Sequence, residues 1–372
     1  MAVKTKIYFY MKKQAILLMG LMVATSCAAE GWQVSVAKYK DNKACAISYT
    51  FDDGLKEHYT KVGPEFEKRG MRATFFINGN SINQDDAHIT DTTRMTWAQL
   101  RELSDRGHEI SNHGWAHKNF ARFPIEEIRE DIMKNDSAIL ACTGKPALTF
   151  CYPNNNKKAE GRRISDKGRV GTRTFQRSLG SKSNDKELAK WTQKMIDTRD
   201  WGVTMTHGIT YGYDNFGRTP QRLWKHLDMV ASLKDSIWVG TFYEVAAYTA
   251  ERRATSLGIA RPKENQLLIT PTMRLDPTLF IEPLTLVIQG DTPIRKLSAK
   301  QSFIGYYRRT RSDLSDYRYH FARLDCFKAC KINILANSRS QKGIKAHAKE
   351  IGYFFHLIGF GHGSAALPIA EG

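Results

Sequence analysis

Across residues 44–253, short apolar runs alternate with amphipathic stretches, and that rhythm restricts the fold more than any other property of this 372-residue chain. The runs at 45–51, 73–77, 109–112, 148–151, 171–175, 203–206 and 237–239 are of strand length. The stretches between them, at 57–69, 97–105, 125–141, 185–197, 220–233 and 242–253, predict helices. Pro124 stands where a first-turn proline belongs, and Gly70, Gly107 and Gly144 fall where helices stop. Seven strands alternating with helices predict a parallel sheet, either barrel-like or doubly wound. In both, the chemistry gathers just past the C-terminal ends of the strands.

The flanks differ in character. Residues 262–300 hold two strand-like runs, 267–270 and 284–288, with turn residues and no helix between them, so a small C-terminal β region is expected there. From 301 to 372 the periodicity fades, leaving a tail of no assigned structure. At the other end, Lys12 and Lys13 precede an apolar run at 15–23 that is shorter than the roughly 20 residues a bilayer span needs. Residues 1–27 therefore read as an export signal, with a better-formed start at Met11. Ala24-Thr25-Ser26-Cys27 resembles a lipoprotein processing site, although Ala24 stands where Leu is usual. Lipidation of Cys27 and plain cleavage near Ala28 or Ala29 both stay open, and either places the protein in the periplasm, on the cell surface or outside the cell.

The formal net charge of +18 raises nucleic acid or an anionic surface as partner. The Lys and Arg are scattered, however, and clusters such as Lys157-Lys158 and Arg162-Arg163 read as solvated loops. With no nucleic-acid motif beside them, no nucleic-acid partner is expected. Beyond Cys27, an odd set of five cysteines (Cys45, Cys142, Cys151, Cys326, Cys330) argues against a disulfide framework.

Three motifs carry chemistry, each at a predicted strand end. Asp52 and Asp53, in Thr50-Phe51-Asp52-Asp53-Gly54, are adjacent carboxylates that repel one another unless a cation binds. His113 and His117, in Ser111-Asn112-His113-Gly114-Trp115-Ala116-His117, have metal-ligand spacing. One Asp with two His leaves coordination positions open, which is the pattern of a catalytic zinc site. His207, in Met205-Thr206-His207-Gly208, ends the sixth strand candidate and suits a general acid.

Together with Ala73-Thr74-Phe75-Phe76-Ile77 and Gly107-His108-Glu109-Ile110, these motifs closely resemble the polysaccharide deacetylase family, also called the NodB-homology domain or carbohydrate esterase family 4, over residues 43–253. The resemblance implies a distorted (β/α) barrel of about seven parallel strands and a hydrolase that removes N-acetyl or O-acetyl groups from an acetylated carbohydrate. It makes Asp52 the base, Asp53, His113 and His117 the ligands of a divalent metal such as zinc, and His207 the late catalytic His. Asn154 would give the oxyanion N–H, and Tyr152 and Trp115 are candidates to stack on a sugar ring, with core packing an equal alternative for Trp115.

Two departures stand out. The family's third motif runs Arg-x-Pro-Tyr, its Arg bracing the base, whereas this chain has Phe150-Cys151-Tyr152-Pro153-Asn154 with Cys151 at the Arg position. Another arginine, Arg163 or Arg173, would have to fill that space; without one, a carbohydrate-binding protein of impaired catalysis is the alternative. Asp197-Thr198-Arg199-Asp200-Trp201 imitates the fourth motif, Asp-x-x-Asp-Trp, but precedes the strand ending at His207. Six residues of strand span about 20 Å, so Asp200 and Trp201 are expected at the far end.

Overall fold

The computed structural model describes residues 26–29, 32–290, 294–300, 305–309, 331–336, 351–357 and 364–368. Most of the expected export signal therefore lies outside the described residues. The first described elements are two strands, β1 (Ser26–Ala29) and β2 (Trp32–Val36). There follow β3 (Cys45–Asp52), α1 (Gly63–Glu67), β4 (Thr74–Ile77), α2 (Trp97–Asp105), β5 (Glu109–Asn112) and α3 (Ile125–Thr143). Next come β6 (Thr149–Cys151), α4 (Ala159–Ser165), β7 (Gly171–Arg173), β8 (Arg177–Ser178), α5 (Asp185–Thr198) and β9 (Trp201–Thr206). Then α6 (Gln221–Ser232), β10 (Ile237–Val239) and α7 (Phe242–Ala254) complete the alternating region.

The strands form one parallel sheet in the order β7-β6-β5-β4-β3-β9-β8, with β10 also pairing β3. The two edges, β7 and β8, are consecutive in the chain and separated only by residues 174–176. So short a link reaches roughly 14 Å at full extension, so the sheet must curl until its edges nearly meet. That is the distorted barrel expected, with β8 as a strand the apolar pattern did not mark.

Strand alternation sorts the side chains. Ile47, Tyr49 and Phe51 of β3 and Phe75 and Ile77 of β4 point outward into the main core beneath the helices, beside Phe66, Leu100, Leu103 and Leu227. The opposite set, including Phe76, Cys151 and Val203, fills the barrel interior, which Phe242 at the start of α7 closes from below. Trp201 opposes Ala46 at the start of β3 and donates to Ser48 Oγ (3.0 Å). It therefore lies at the barrel floor, away from Asp52 at the other end of β3.

Beyond α7 come β11 (Thr255–Lys263), β12 (Gln266–Met273), β13 (Leu284–Gly290), β14 (Ile294–Lys300), β15 (Gly305–Arg309), β16 (Lys331–Ala336), β17 (Ile351–Leu357) and β18 (Ser364–Pro368). They form two antiparallel sheets, β1-β2-β13-β17-β15 and β11-β12-β16-β14-β18. The β region begins earlier than 262, and strands within 301–372 share both sheets. Because β13 pairs β2 on one side and β17 on the other, the N-terminal and C-terminal segments are knitted together. Among the described residues no helix is long and apolar enough to cross a membrane.

Candidate metal centre and active site

Because the barrel strands are parallel, β3, β4, β5, β6, β7 and β9 all release their chains at one mouth. Asp52 is the last residue of β3, and Asp53 and Gly54 follow with φ of 76° and 66°. Both lie in the left-handed region, where a non-glycine residue costs of order 1–3 kcal/mol. At Gly54 a Cβ would sit 2.5 Å from Ile82 Cδ1, so a larger residue would add a clash to the left-handed strain. The turn is held by Asp53 N–H donating to Phe76 (2.9 Å) and by Arg94 donating to the Asp53 carbonyl (2.5 Å).

His113 leaves β5 in a loop that α3 supports. Asp131 accepts from Ala116 N–H (2.7 Å), and Asn78 donates to the His113 carbonyl (2.8 Å). Another left-handed non-glycine residue, His117 at φ 54°, turns its ring against His113, with centroids 4.7 Å apart. His113 Nδ1 donates to the Cys151 carbonyl (2.8 Å), which leaves the Nε2 lone pair facing the mouth. Burial pushes His113 down to about 4, against the pull of the Asp52 and Asp53 charges, so the ring is neutral and able to ligate.

The donor atoms of Asp53, His113 and His117 lie within 4.8 Å of one another. His113 Nε2 is 3.8 Å from Asp53 Oδ1, a buried oxygen without a hydrogen-bond partner. Bonds of about 2 Å at tetrahedral angles place donors about 3.4 Å apart, so the cluster fits a divalent ion with little adjustment. His207 enters from the end of β9, its Nε2 3.7 Å from Asp53 Oδ2.

Asp52 is 3% exposed and does not lack a brace. Arg173, the last residue of β7, crosses the barrel interior and grips both oxygens, Nη1 to Oδ1 at 2.7 Å and Nη2 to Oδ2 at 2.5 Å. Its Nη1 also donates to Thr50 Oγ1, and the guanidinium lies over the Phe76 ring. Burial alone would push the Asp52 carboxyl up, but Arg173, with help from His113, holds it well below the usual carboxylate range. Of the two arginines left open by the sequence, Arg173 takes the role. Cys151 packs beneath, its Sγ 3.8 Å from Asp52 Oδ2, and burial pushes its thiol far up, so it stays protonated and neutral.

Two expectations are corrected. Tyr152 is 1% exposed, packed among Phe120 and Phe150, and its hydroxyl is engaged with Asp166 and Thr172, so no sugar can reach its ring. Trp115 stacks on Trp97 (6.5 Å) and carries Lys134 Nζ 4.2 Å from its ring centroid, which leaves little free face for a sugar. Asn154, by contrast, is exposed at φ 53° in the loop leaving β6. The motif reading also overlooked Tyr213, exposed and edge-on to His207 at 5.2 Å, and the pair Glu57–His58, which touches the His207 loop.

Residues 39–168 match the sequence profile of the family described as polysaccharide deacetylase. A peptidoglycan-N-acetylglucosamine deacetylase of Listeria monocytogenes is 31% identical over 119 residues, 32% of this chain and 23% of that protein. A peptidoglycan-N-acetylmuramic acid deacetylase of Bacillus subtilis is 23% identical over 47% of this chain and 56% of that protein. A gellan lyase of a Bacillus species is 21% identical over 72% of this chain but only 12% of its own length. The chain thus spans well under two thirds of these relatives. Among solved structures, a family 4 acetyl xylan esterase from Clostridium thermocellum superposes with a TM-score of 0.42 at 22% identity, over 54% of this chain and 89% of that one. The matched profile covers the β3 turn, the His113/His117 loop and β6, whose side chains meet at a single mouth, and it is over these residues that the chain is similar to the polysaccharide deacetylase family.

Proposed function

We propose that the barrel mouth is the active site of an exported, metal-dependent hydrolase that removes N-acetyl or O-acetyl groups from a polysaccharide or oligosaccharide. The observation that carries this is the braced Asp52–Arg173 pair standing beside the Asp53, His113 and His117 donor cluster. A divalent metal, zinc by the one-carboxylate, two-imidazole donor set, would be held by those three residues and supply Lewis acidity at the acetyl carbonyl.

The rest is the work of this chain's side chains. Asp52 is ionised throughout the working pH range, and each of its oxygens keeps a lone pair beyond its bond to Arg173. It takes the proton of the attacking water, and the two-point grip of Arg173 fixes the direction in which it does so. His207 Nε2 then delivers a proton to the departing amine or alkoxide. Asn154 offers its backbone N–H to the oxyanion from the loop after β6. A carbohydrate-binding protein of impaired catalysis is the alternative, and the grip of Arg173 on Asp52 supports the hydrolase reading over it.

The names of the relatives make peptidoglycan a natural substrate to try first. Export, with or without a lipid on Cys27, is proposed on the pattern of residues 1–27 alone. Release of acetate from acetylated glycans, followed for the wild type and Asp52→Ala, tests the catalytic reading. Activity that survives Asp52→Ala unchanged would refute the assigned base.

A further inference from the structure

We infer that Glu57 and His58 are positioning residues that set the proton-donating His207, so that the turn carrying the base also aims the acid. Four residues separate Asp52 from Glu57, and the segment folds back beneath the loop that leaves β9. Glu57 is buried, and its carboxylate spends itself on that loop. Oε2 accepts the N–H groups of Ile209 and Thr210, both at 2.7 Å, and Oε1 accepts the Thr210 hydroxyl at 2.6 Å. Lys61, one helical turn on, neutralises it. His58 is fully buried, stacks on Phe75 (centroids 5.2 Å apart), and its Nε2 donates to the carbonyl of His207 itself.

Two backbone bonds close the loop on itself, His207 N–H to the Tyr213 carbonyl (3.3 Å) and Phe216 N–H to the Ile209 carbonyl (2.9 Å). Gly208 and Gly212 lie on either side of the gripped pair, and a Cβ at Gly212 would meet Leu55 Cδ1 at 2.8 Å. Asp214 fastens the far side through Ser178, Ser181 and the Gly180 N–H. Between His207 and Thr210 the remaining backbone groups, the His207 carbonyl and the Ile209 and Thr210 N–H groups, are held from outside the loop by the segment that begins at the catalytic turn. Three of the four donors to this buried carboxylate come from Ile209 and Thr210, so removing its charge would leave loop N–H groups without their acceptor. The group that gains from the order is the His207 ring, which must reach a leaving atom within hydrogen-bond distance.

The inference rests on His207 acting as the general acid, and leaving-group chemistry separates the two claims. An amine or sugar alkoxide departs only with a proton; 4-nitrophenolate departs without one. Acetate release from an acetylated glycan and hydrolysis of 4-nitrophenyl acetate are therefore measured side by side for the zinc-loaded full chain, Glu57→Gln, Thr210→Val and His207→Asn. The expected result is a fall in the glycan-to-aryl-ester rate ratio of about tenfold or more for Glu57→Gln, within the range general acid catalysis supplies. His207→Asn should show a larger fall and Thr210→Val a smaller one.

Melting curves and bound zinc per chain check that the variants fold and load. A ratio unchanged in Glu57→Gln but depressed in His207→Asn overturns the positioning role alone. A ratio unchanged in both overturns the acid role and the positioning role with it. No glycan turnover by the wild type refutes the hydrolase reading itself.

Discussion

Replacing Arg173 by Met should cost both stability and activity, with a signature in pH that no ordinary core substitution would give. The guanidinium makes two bonds to Asp52 and one to Thr50 from a position 2% exposed, and Asp52 is 3% exposed. Removing one partner of a buried ion pair leaves the other charge uncompensated, at about 3–5 kcal/mol. The pH dependence follows from the direction of the Asp52 shift. In the wild type the folded carboxyl binds protons more weakly than the unfolded one, so its contribution is fully present above the unfolded value of about 3.9 and fades only as pH falls through the lower folded value.

In Arg173→Met burial prevails and the folded carboxyl is shifted up, so stability is instead lost as pH rises through the new, higher value. The gap between the two proteins should therefore be widest at neutral pH and shrink towards pH 4. Urea unfolding of metal-stripped protein at pH 4 and pH 7 reads it directly. The acidic limb of acetate release should move to higher pH in the variant, since Asp52 would then be protonated over part of the working range. A loss under about 1 kcal/mol at pH 7, or a gap that does not narrow in acid, would refute the bracing role. Arg173→Lys keeps the charge but loses the planar two-point grip, so it should fall between wild type and Met.

Asp53→Ala should lose bound metal and activity together, whereas Asp52→Ala should keep metal and lose activity; metal content by elemental analysis beside acetate release distinguishes them. Glu251, fully buried in α7 with one carboxylate oxygen unpartnered, is pushed up by burial to about 8. A raised carboxyl contributes stability that is present below the unfolded value near 4.5 and lost as pH rises through 8, so Glu251→Gln should leave pH 5 stability little changed. At pH 9 it should gain up to about 5 kcal/mol by linkage; a melting temperature that does not rise relative to wild type between pH 5 and 9 would contradict it.

The barrel was legible because its physics is local. A strand buried on one face and lined by barrel-interior groups on the other gives a short apolar run, and a helix lying on it gives a spaced one. Six helices and seven strands follow from that alone. β8 escaped because two residues cannot show a period, and α4 because Ala159–Ser165 presents only a few buried positions. The strands within 301–372 escaped for a different reason: β16 and β17 pair with segments some 60 residues away in sequence, and nothing local reports such partners.

At the site, the candidate metal donors Asp53, His113 and His117 were readable because ligand chemistry demands fixed residue types at fixed strand ends, and the structure brings those three together. The brace was readable only as a vacancy at Cys151. Its occupant sits one strand further on, and an arginine's reach across a barrel leaves no mark in spacing. Tyr152 and Trp115 misled because an aromatic beside a catalytic motif looks the same in sequence whether it faces a sugar or the core; only the packing of Phe120, Phe150, Trp97 and Lys134 around them decides.

The most direct test is acetate release from a panel of acetylated glycans, peptidoglycan and chitin-type oligosaccharides among them, by the protein lacking residues 1–27, with zinc added or removed by a chelator. Release that stops with the chelator and returns with zinc is the predicted result, and the best substrate would name the target. Zinc bound at the Asp53, His113 and His117 cluster with no acetate released from any glycan would contradict the hydrolase and favour a glycan-binding protein on the same barrel.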